Sequence, residues 1–351
     1  MTPTLHTAAC ELFGVRYPIV QTGMGYVATP ELTAATSNAG GLGILASGPL
    51  TVAQTDAAIA RTKEITSNPF GVNMRGDAPD LPERAKLLVR HGVRIASFAL
   101  APNERVIRDL KDRGLIVVPS IGARRHAEKV AAWGVDAVIV QGSEGGGHTG
   151  KVPTSILLPQ VVDAVDIPVI GAGGFHDGRG LIAALAFGAA GIAMGTRFLL
   201  TSDSVVPDNV KREYLIRTVN DTVVTSVLDG VPQRVLRTEL AEKLIASGPV
   251  SRAARSVRSA FALRKMSAAS WRDIIGEGLA MRKSHELSWS QVLMAANTPM
   301  MLRASMVDGR VDLGTLASGQ VAGVIDELPS CAELLTRIMN EADEVLRRLS
   351  T

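Results

Sequence analysis

The stretch VIVQGSEGGGHTGKVPT (138–154) carries an apolar run to Gln141 and then sets three glycines directly before a lone histidine. An imidazole titrates near neutral pH, so His148 is a candidate general acid or base. A lone histidine is as a rule structural, but this one is followed by a further glycine and lies in a region poor in other bases. Glycine triplets are costly to order, which calls for a close approach of the main chain to something else. Two further stretches, GAGGF (171–175) and AMGTRF (193–198), expose backbone N–H groups without Cβ atoms in the way. Gly173, Gly174, Gly195 and Thr196 are therefore suited to cradling a phosphate, the alternative being close packing of helices on strands. Asn73 and Gln141 offer neutral amides for the edge of a flat heterocycle. Met24, beside Gly23, can pack on its face or belong to the core. Arg197 and Lys151 are either partners for further anions or solvated charges at loop ends.

These residues need a frame that brings them to one place. Short apolar runs at 18–24, 41–47, 70–75, 94–100, 116–122, 137–142, 168–174 and 191–198 alternate with amphipathic stretches such as NERVIRDLKDRG and DGRGLIAALAFGAA. Many of the latter open on Thr, Asn or Asp and close on Gly, as helix caps require. Eight strands alternating with helices predict a closed (β/α)8, or TIM, barrel, whose active site lies at the C-terminal ends of the strands. Those ends read Gly23-Met24-Gly25, Ser47-Gly48, Asn73, Ser97, Ser120, Gln141, Gly173-Gly174 and Gly195-Thr196. Carboxylates and metal ligands are nearly absent, which disfavours a glycosidase or a metallohydrolase. The segment GMGYVA (23–28) matches a dinucleotide fingerprint, but the following strand ends in ILASG with no acid for a ribose hydroxyl, so a doubly wound sheet is rejected. The glycines of the seventh and eighth strands fall at the corner where such barrels bind phosphate. A phosphate-bearing aromatic cofactor fits this set, flavin mononucleotide (FMN) among them.

Hydrophobic residues make up 46% of the 351 residues and aromatics only 4%, a composition suited to parallel strands buried under helices. No apolar run is long enough to span a membrane, and MTPTLHTAACELFG lacks the pattern of a secretory signal. Cys10 and Cys331, far apart, form no disulfide framework and suggest a reducing cytoplasm. A net charge of +3 is too mild to argue for nucleic acid. After the eighth strand, residues 201–312 read as an inserted, mostly helical cap, with residues 1–200 and 313–351 forming the barrel. The cap opens on a predicted hairpin, TVVTSVLDGVPQRVLRT, turning at Asp229-Gly230. Arg252, Arg255 and Arg258 recur at helical spacing and form either a basic stripe for phosphates or a solvated helix face. His6, His91, His126 and His285 read as surface residues. His176 either approaches the site or lines the loop before Asp177, a natural N-cap.

The phrases QTGMG, NAGGLGIL, FGVN, VQGSEGGGHTG, PVIGAGGFHDG and GAAGIAMGTRF resemble the nitronate monooxygenase family, whose relatives include flavin-dependent enoyl-thioester reductases. The resemblance runs from about residue 14 to 201 and resumes at ASGQVAGVI. It implies an FMN-containing barrel with a small inserted domain. It also implies that His148, in the motif E-x-G-G-H-x-G, removes a proton from a substrate carbon. FMN contacts would fall on Gly23, Met24, Asn73, Gln141, Gly146, Gly147, Gly173, Gly174, Gly195 and Thr196. In the cap, HELSWSQVLMAANTPM and TSDSVVPDNVKREYL resemble actinobacterial flavin oxidoreductases of steroid C/D-ring breakdown. That likeness implies dehydrogenation of a bulky acyl-CoA thioester with NAD as co-substrate, and lets Lys151, Arg252, Arg255 and Arg258 meet CoA. The alternatives are nitronate oxidation with oxygen and enoyl-thioester reduction. The expected partners are small molecules, with a homo-oligomer compatible.

Overall fold

The computed structural model describes residues 5–247 and 298–350. Eight parallel strands close into a barrel in the order β1 (Ile19–Gln21), β2 (Leu42–Ala46), β3 (Phe70–Met74), β4 (Ile95–Phe98), β5 (Ile116–Ile121), β6 (Val138–Gln141), β8 (Val169–Ala172) and β9 (Gly191–Met194). Closure comes from β9 returning to β1, with Ile19 opposite Ile192 and Gln21 opposite Met194. Each of the eight predicted runs contains one of these strands. The competing doubly wound sheet is excluded by closure.

Successive side chains of a strand point to opposite faces. Val20, Ile44, Ile95, Val118, Ile139, Ile170 and Ala193 fall in one buried cluster, the barrel interior. Their neighbours Ile19, Leu45, Val72, Ala96, Val117, Val138, Val140 and Ile192 fall in another, packed under the surrounding helices. The N-terminal helix Ala8–Phe13 joins Phe13 to the interior cluster and so plugs the barrel. By the same parity Asn73, Ser97 and Gln141 point inward, two residues beyond Gly71, Ile95 and Ile139. Asn103 and Asp177 cap their helices through the side chain, whereas Thr29 occupies a cap position without a side-chain bond. The closing helix Cys331–Leu349 starts on a capping box between Ser330 and Glu333 and packs against the helices Gly178–Ala186 and Pro30–Asn38. Cys331 is fully buried there, and burial pushes its thiol up to about 12. Among the described residues no helix is long and apolar enough to cross a membrane.

The hairpin of the inserted segment is present, as β10 (Thr222–Thr225) and β11 (Gln233–Leu236). Its connection is broader than a tight turn at Asp229-Gly230, because seven residues, 226–232, separate the strands. The hairpin also has a third member. A two-residue strand, β7 (Gly147–His148), pairs antiparallel with β11, placing Gln233 opposite His148 and Arg234 opposite Gly147. The histidine loop is thus built into a small sheet shared with the insertion.

Candidate active site

The loop leaving β6 is fastened at several points. The Gln141 side chain donates from Nε2 to the carbonyl of His148 at 2.7 Å and to that of Gly146 at 3.3 Å, leaving Oε1 as the acceptor it can offer a ligand. The Glu144 carboxylate folds back onto the start of the helix Thr154–Val162. It accepts from Thr154 N at 3.1 and 3.0 Å and from Thr154 Oγ1 at 2.9 Å. First-turn N–H groups lack partners within the helix and sit at its positive end, so a carboxylate is stabilising there. Arg234 of β11 donates from Nε and Nη2 to the Ser143 carbonyl at 3.1 and 2.9 Å, and from Nη1 to Thr222 Oγ1 at 2.8 Å. Burial pulls its guanidinium below the usual range, an effect the Glu144 charge opposes.

The three glycines before His148 have three different causes. A Cβ on Gly145 would lie 2.7 Å from Gln141 Nε2, and one on Gly146 would lie 2.6 Å from both Gly319 N and the Ser318 carbonyl carbon. Gly147 meets nothing but has φ +67°, a conformation that L side chains rarely adopt. The return segment 318–320 is held in turn, with Gly319 N donating to Thr196 Oγ1 at 2.9 Å and Gln320 N to the Glu144 carbonyl at 3.0 Å.

His148 places Nε2 2.7 Å from Asp229 Oδ2. The Asp229 side chain is only 7% exposed and the histidine side chain 56%. Asp229 Oδ1 accepts from Val231 N at 3.0 Å, so the carboxylate is oriented from both sides.

The remaining predicted residues surround the same strand ends. Gly23 lies so close to Asn73 that a Cβ would fall 2.2 Å from the asparagine Cβ, and Asn73 Nδ2 donates to Ser97 Oγ at 3.3 Å. Met24 Sδ lies 3.3 Å from where a Gly195 Cβ would stand. Gly173 and Gly174 follow β8 with φ +97° and +83°; a Cβ on Gly173 would lie 3.0 Å from Thr154 Oγ1 and 3.1 Å from Gly145 N, whereas the nearest neighbour of a Cβ on Gly174 would be Glu144, at 3.8 Å. At Gly174 that corner presents open backbone. Lys151 is exposed in the same β6 loop.

Comparison with known proteins places this geometry. The family model described as nitronate monooxygenase matches residues 6–89 and 82–341. The chain belongs to the nitronate monooxygenase family. It is 59% identical over 341 residues, 96% of each chain, to the (3aS,4S,5R,7aS)-5-hydroxy-7a-methyl-1-oxo-octahydro-1H-indene-4-carboxyl-CoA dehydrogenase of Mycobacterium tuberculosis. To a probable nitronate monooxygenase of Staphylococcus saprophyticus it is 33% identical, over 68% of this chain and 81% of the relative. Among solved structures, FabK from Thermotoga maritima superposes with a TM-score of 0.81 at 32% identity, covering 98% of both chains. Like its family, the chain is an oxidoreductase. The family's flavin suits the open backbone at Gly174 and the amides of Asn73 and Gln141.

One expectation about this family member needs revision. Arg197 is neither an anion partner nor a solvated charge. Its side chain is buried, Nη2 donates to the carbonyls of Leu200 at 2.7 Å and Glu327 at 3.0 Å, and burial lowers its pKa to about 10. His176, left open between the site and the loop, is half-buried with Nε2 3.5 Å from Asp177 Oδ2, beside the cap residue it precedes. Arg252, Arg255 and Arg258 lie outside the described residues. The sequence reading missed Asp229 and Arg234, both supplied by the inserted hairpin. The only available signal for Asp229 was the Asp-Gly pair, which reads as a turn.

Proposed function

We propose that the protein is an FMN-dependent dehydrogenase that desaturates the α,β position of a bulky acyl-CoA thioester of the steroid C/D-ring type, with NAD as the electron-accepting co-substrate. The observation that carries the reading is the reach of the likeness. Identity to the indene-carboxyl-CoA dehydrogenase extends over 96% of the chain, against 68% for the nitronate monooxygenase relative. Residues 1–200 and 313–351 are assigned to the cofactor barrel and 201–312 to the cap that receives the acyl-CoA. The exposed Lys151, with Arg252, Arg255 and Arg258, is assigned to the CoA phosphates.

The chain's own part in the reaction follows from the site. Gly173, Gly174, Gly195 and Thr196 hold the phosphate of FMN. Gly23, Met24, Asn73, Gln141, Gly146 and Gly147 line the space for its ring, which supplies a two-electron acceptor when bound. A thioester acidifies the carbon next to it, and His148 removes that proton as general base, a role worth roughly 10²–10⁴ in rate.

An anaerobic titration tests this. Addition of a steroid-derived acyl-CoA should bleach the flavin spectrum, and a small alkyl nitronate should not. The reverse pattern would return the protein to nitronate oxidation. His148→Ala should retain flavin and lose turnover, and full activity in that variant would refute the assigned base.

A further inference from the structure

We infer that Asp229, contributed by the inserted hairpin, is the positioning residue of His148, fixing the imidazole with its proton on Nε2 and leaving Nδ1 as the proton-accepting atom. The inference rests on His148 being the base proposed above. A neutral imidazole has one protonated and one bare nitrogen, and the hydrogen bond made by one nitrogen decides which is which. Asp229 Oδ2, an acceptor 2.7 Å from Nε2, requires a proton there. Nδ1 has no hydrogen bond among the described residues and belongs to a side chain that is 56% exposed.

The carboxylate is held as a positioning group must be. Its other oxygen is tied to Val231 N at 3.0 Å, and its side chain is almost wholly buried. The backbone sets the approach independently of either side chain. His148 stands opposite Gln233 in the β7–β11 ladder, and Thr149 N donates to the Pro232 carbonyl at 3.2 Å. Residues 81 positions apart therefore meet through main-chain register rather than chance contact.

In the proton transfer the α-carbon C–H bond breaks and an N–H bond forms at Nδ1. The electron pair left behind spreads onto the thioester carbonyl. The imidazolium so formed keeps its Nε2 proton on Asp229, whose negative charge stabilises it without itself taking the proton.

Two measurements on the flavin-loaded full chain test this. In protein labelled with ¹⁵N-histidine at pH 8, with the His148 signals identified by their loss in His148→Gln, the ring should show a protonated Nε2 and a bare Nδ1. A proton on Nδ1 overturns the inference and needs no Asp229 variant. Kinetically, Asp229→Asn should keep flavin content and change KM less than about three-fold. Its kcat should drop roughly 10²–10⁴-fold, as a misassigned tautomer does in comparable His-Asp pairs. Asp229→Glu, which restores a carboxylate, should recover at least about ten-fold of that loss. A kcat within about three-fold of wild type in Asp229→Asn, with His148→Ala inactive, overturns Asp229 alone. Activity in His148→Ala removes the base, and with it both readings.

Discussion

Gly146→Ala is a sharp test of how the histidine loop is held, because the neighbouring Gly147→Ala serves as its control. Gly146 does not have a positive φ, so alanine there meets no backbone penalty. The obstacle is contact. A Cβ would lie 2.6 Å from Gly319 N, 2.6 Å from the Ser318 carbonyl carbon and 3.0 Å from Ser318 Cα, all main-chain atoms with no rotamer to relieve them. Ordinary contact begins at 3.4 Å, so the two segments must part by about 0.8 Å. Overpacking of that kind costs roughly 1–3 kcal/mol. Parting also stretches the bond from Gln320 N to the Glu144 carbonyl, at 3.0 Å, and that from Gly319 N to Thr196 Oγ1, at 2.9 Å. At about 1 kcal/mol net for each of these two hydrogen bonds, the expected destabilisation is about 3–5 kcal/mol. A displacement near 1 Å at the loop carrying the base should also lower turnover by about 10²-fold. Gly147→Ala, with φ +67° and open space around its Cβ, should instead cost only about 1–2 kcal/mol of strain. Gly147→Asn should recover part of it, since asparagine tolerates that region better. Urea unfolding followed by circular dichroism, with steady-state turnover on the same preparations, measures both quantities. A Gly146→Ala protein within about 0.5 kcal/mol of wild type and fully active would refute the reasoning, as would Gly147→Ala being the more destabilising change in urea unfolding.

Two further perturbations probe the walls around this loop. Glu144→Gln keeps an acceptor for Thr154 but loses the charge at the helix start, and charge-assisted hydrogen bonds are about twice as strong as neutral ones. A loss of about 1–2 kcal/mol in urea unfolding is expected, and an unchanged midpoint would show that the carboxylate charge is idle. Asp177 lies against partial burial, which opposes ionisation, yet its bonds from Gly180 N and Arg179 hold its carboxyl below the usual range. A depressed acid contributes stability that is complete above its unfolded pKa of about 3.9 and is lost as the pH falls through the lower folded value. Asp177→Ala should therefore cost about 0.5–2 kcal/mol at pH 7, a gap that narrows below pH 4. A gap that stays constant or widens on acidification would contradict the assignment.

What could be read from residues alone divides along physical lines. The barrel was legible because its determinants are local. Apolar runs of strand length, capping residues and glycines recur within each β/α unit, and parity along β3 and β6 already turns Asn73 and Gln141 inward. His148 was legible for a related reason, since a titratable side chain behind a glycine triplet is an anomaly within one loop. Arg197 was misread because its partners are main-chain carbonyls, one of them Glu327, 130 residues away, and carbonyls leave no mark on a pattern of side-chain types. Asp229 escaped for a second reason. Asp-Gly is a strong turn signal, and the turn explanation accounted for both residues, leaving nothing unexplained to follow up. Its actual use depends on β7, a strand of two residues that no periodicity can reveal. His148 is therefore visible in the chain order, whereas its partner Asp229 becomes visible only when the hairpin after the eighth barrel strand folds back onto the barrel.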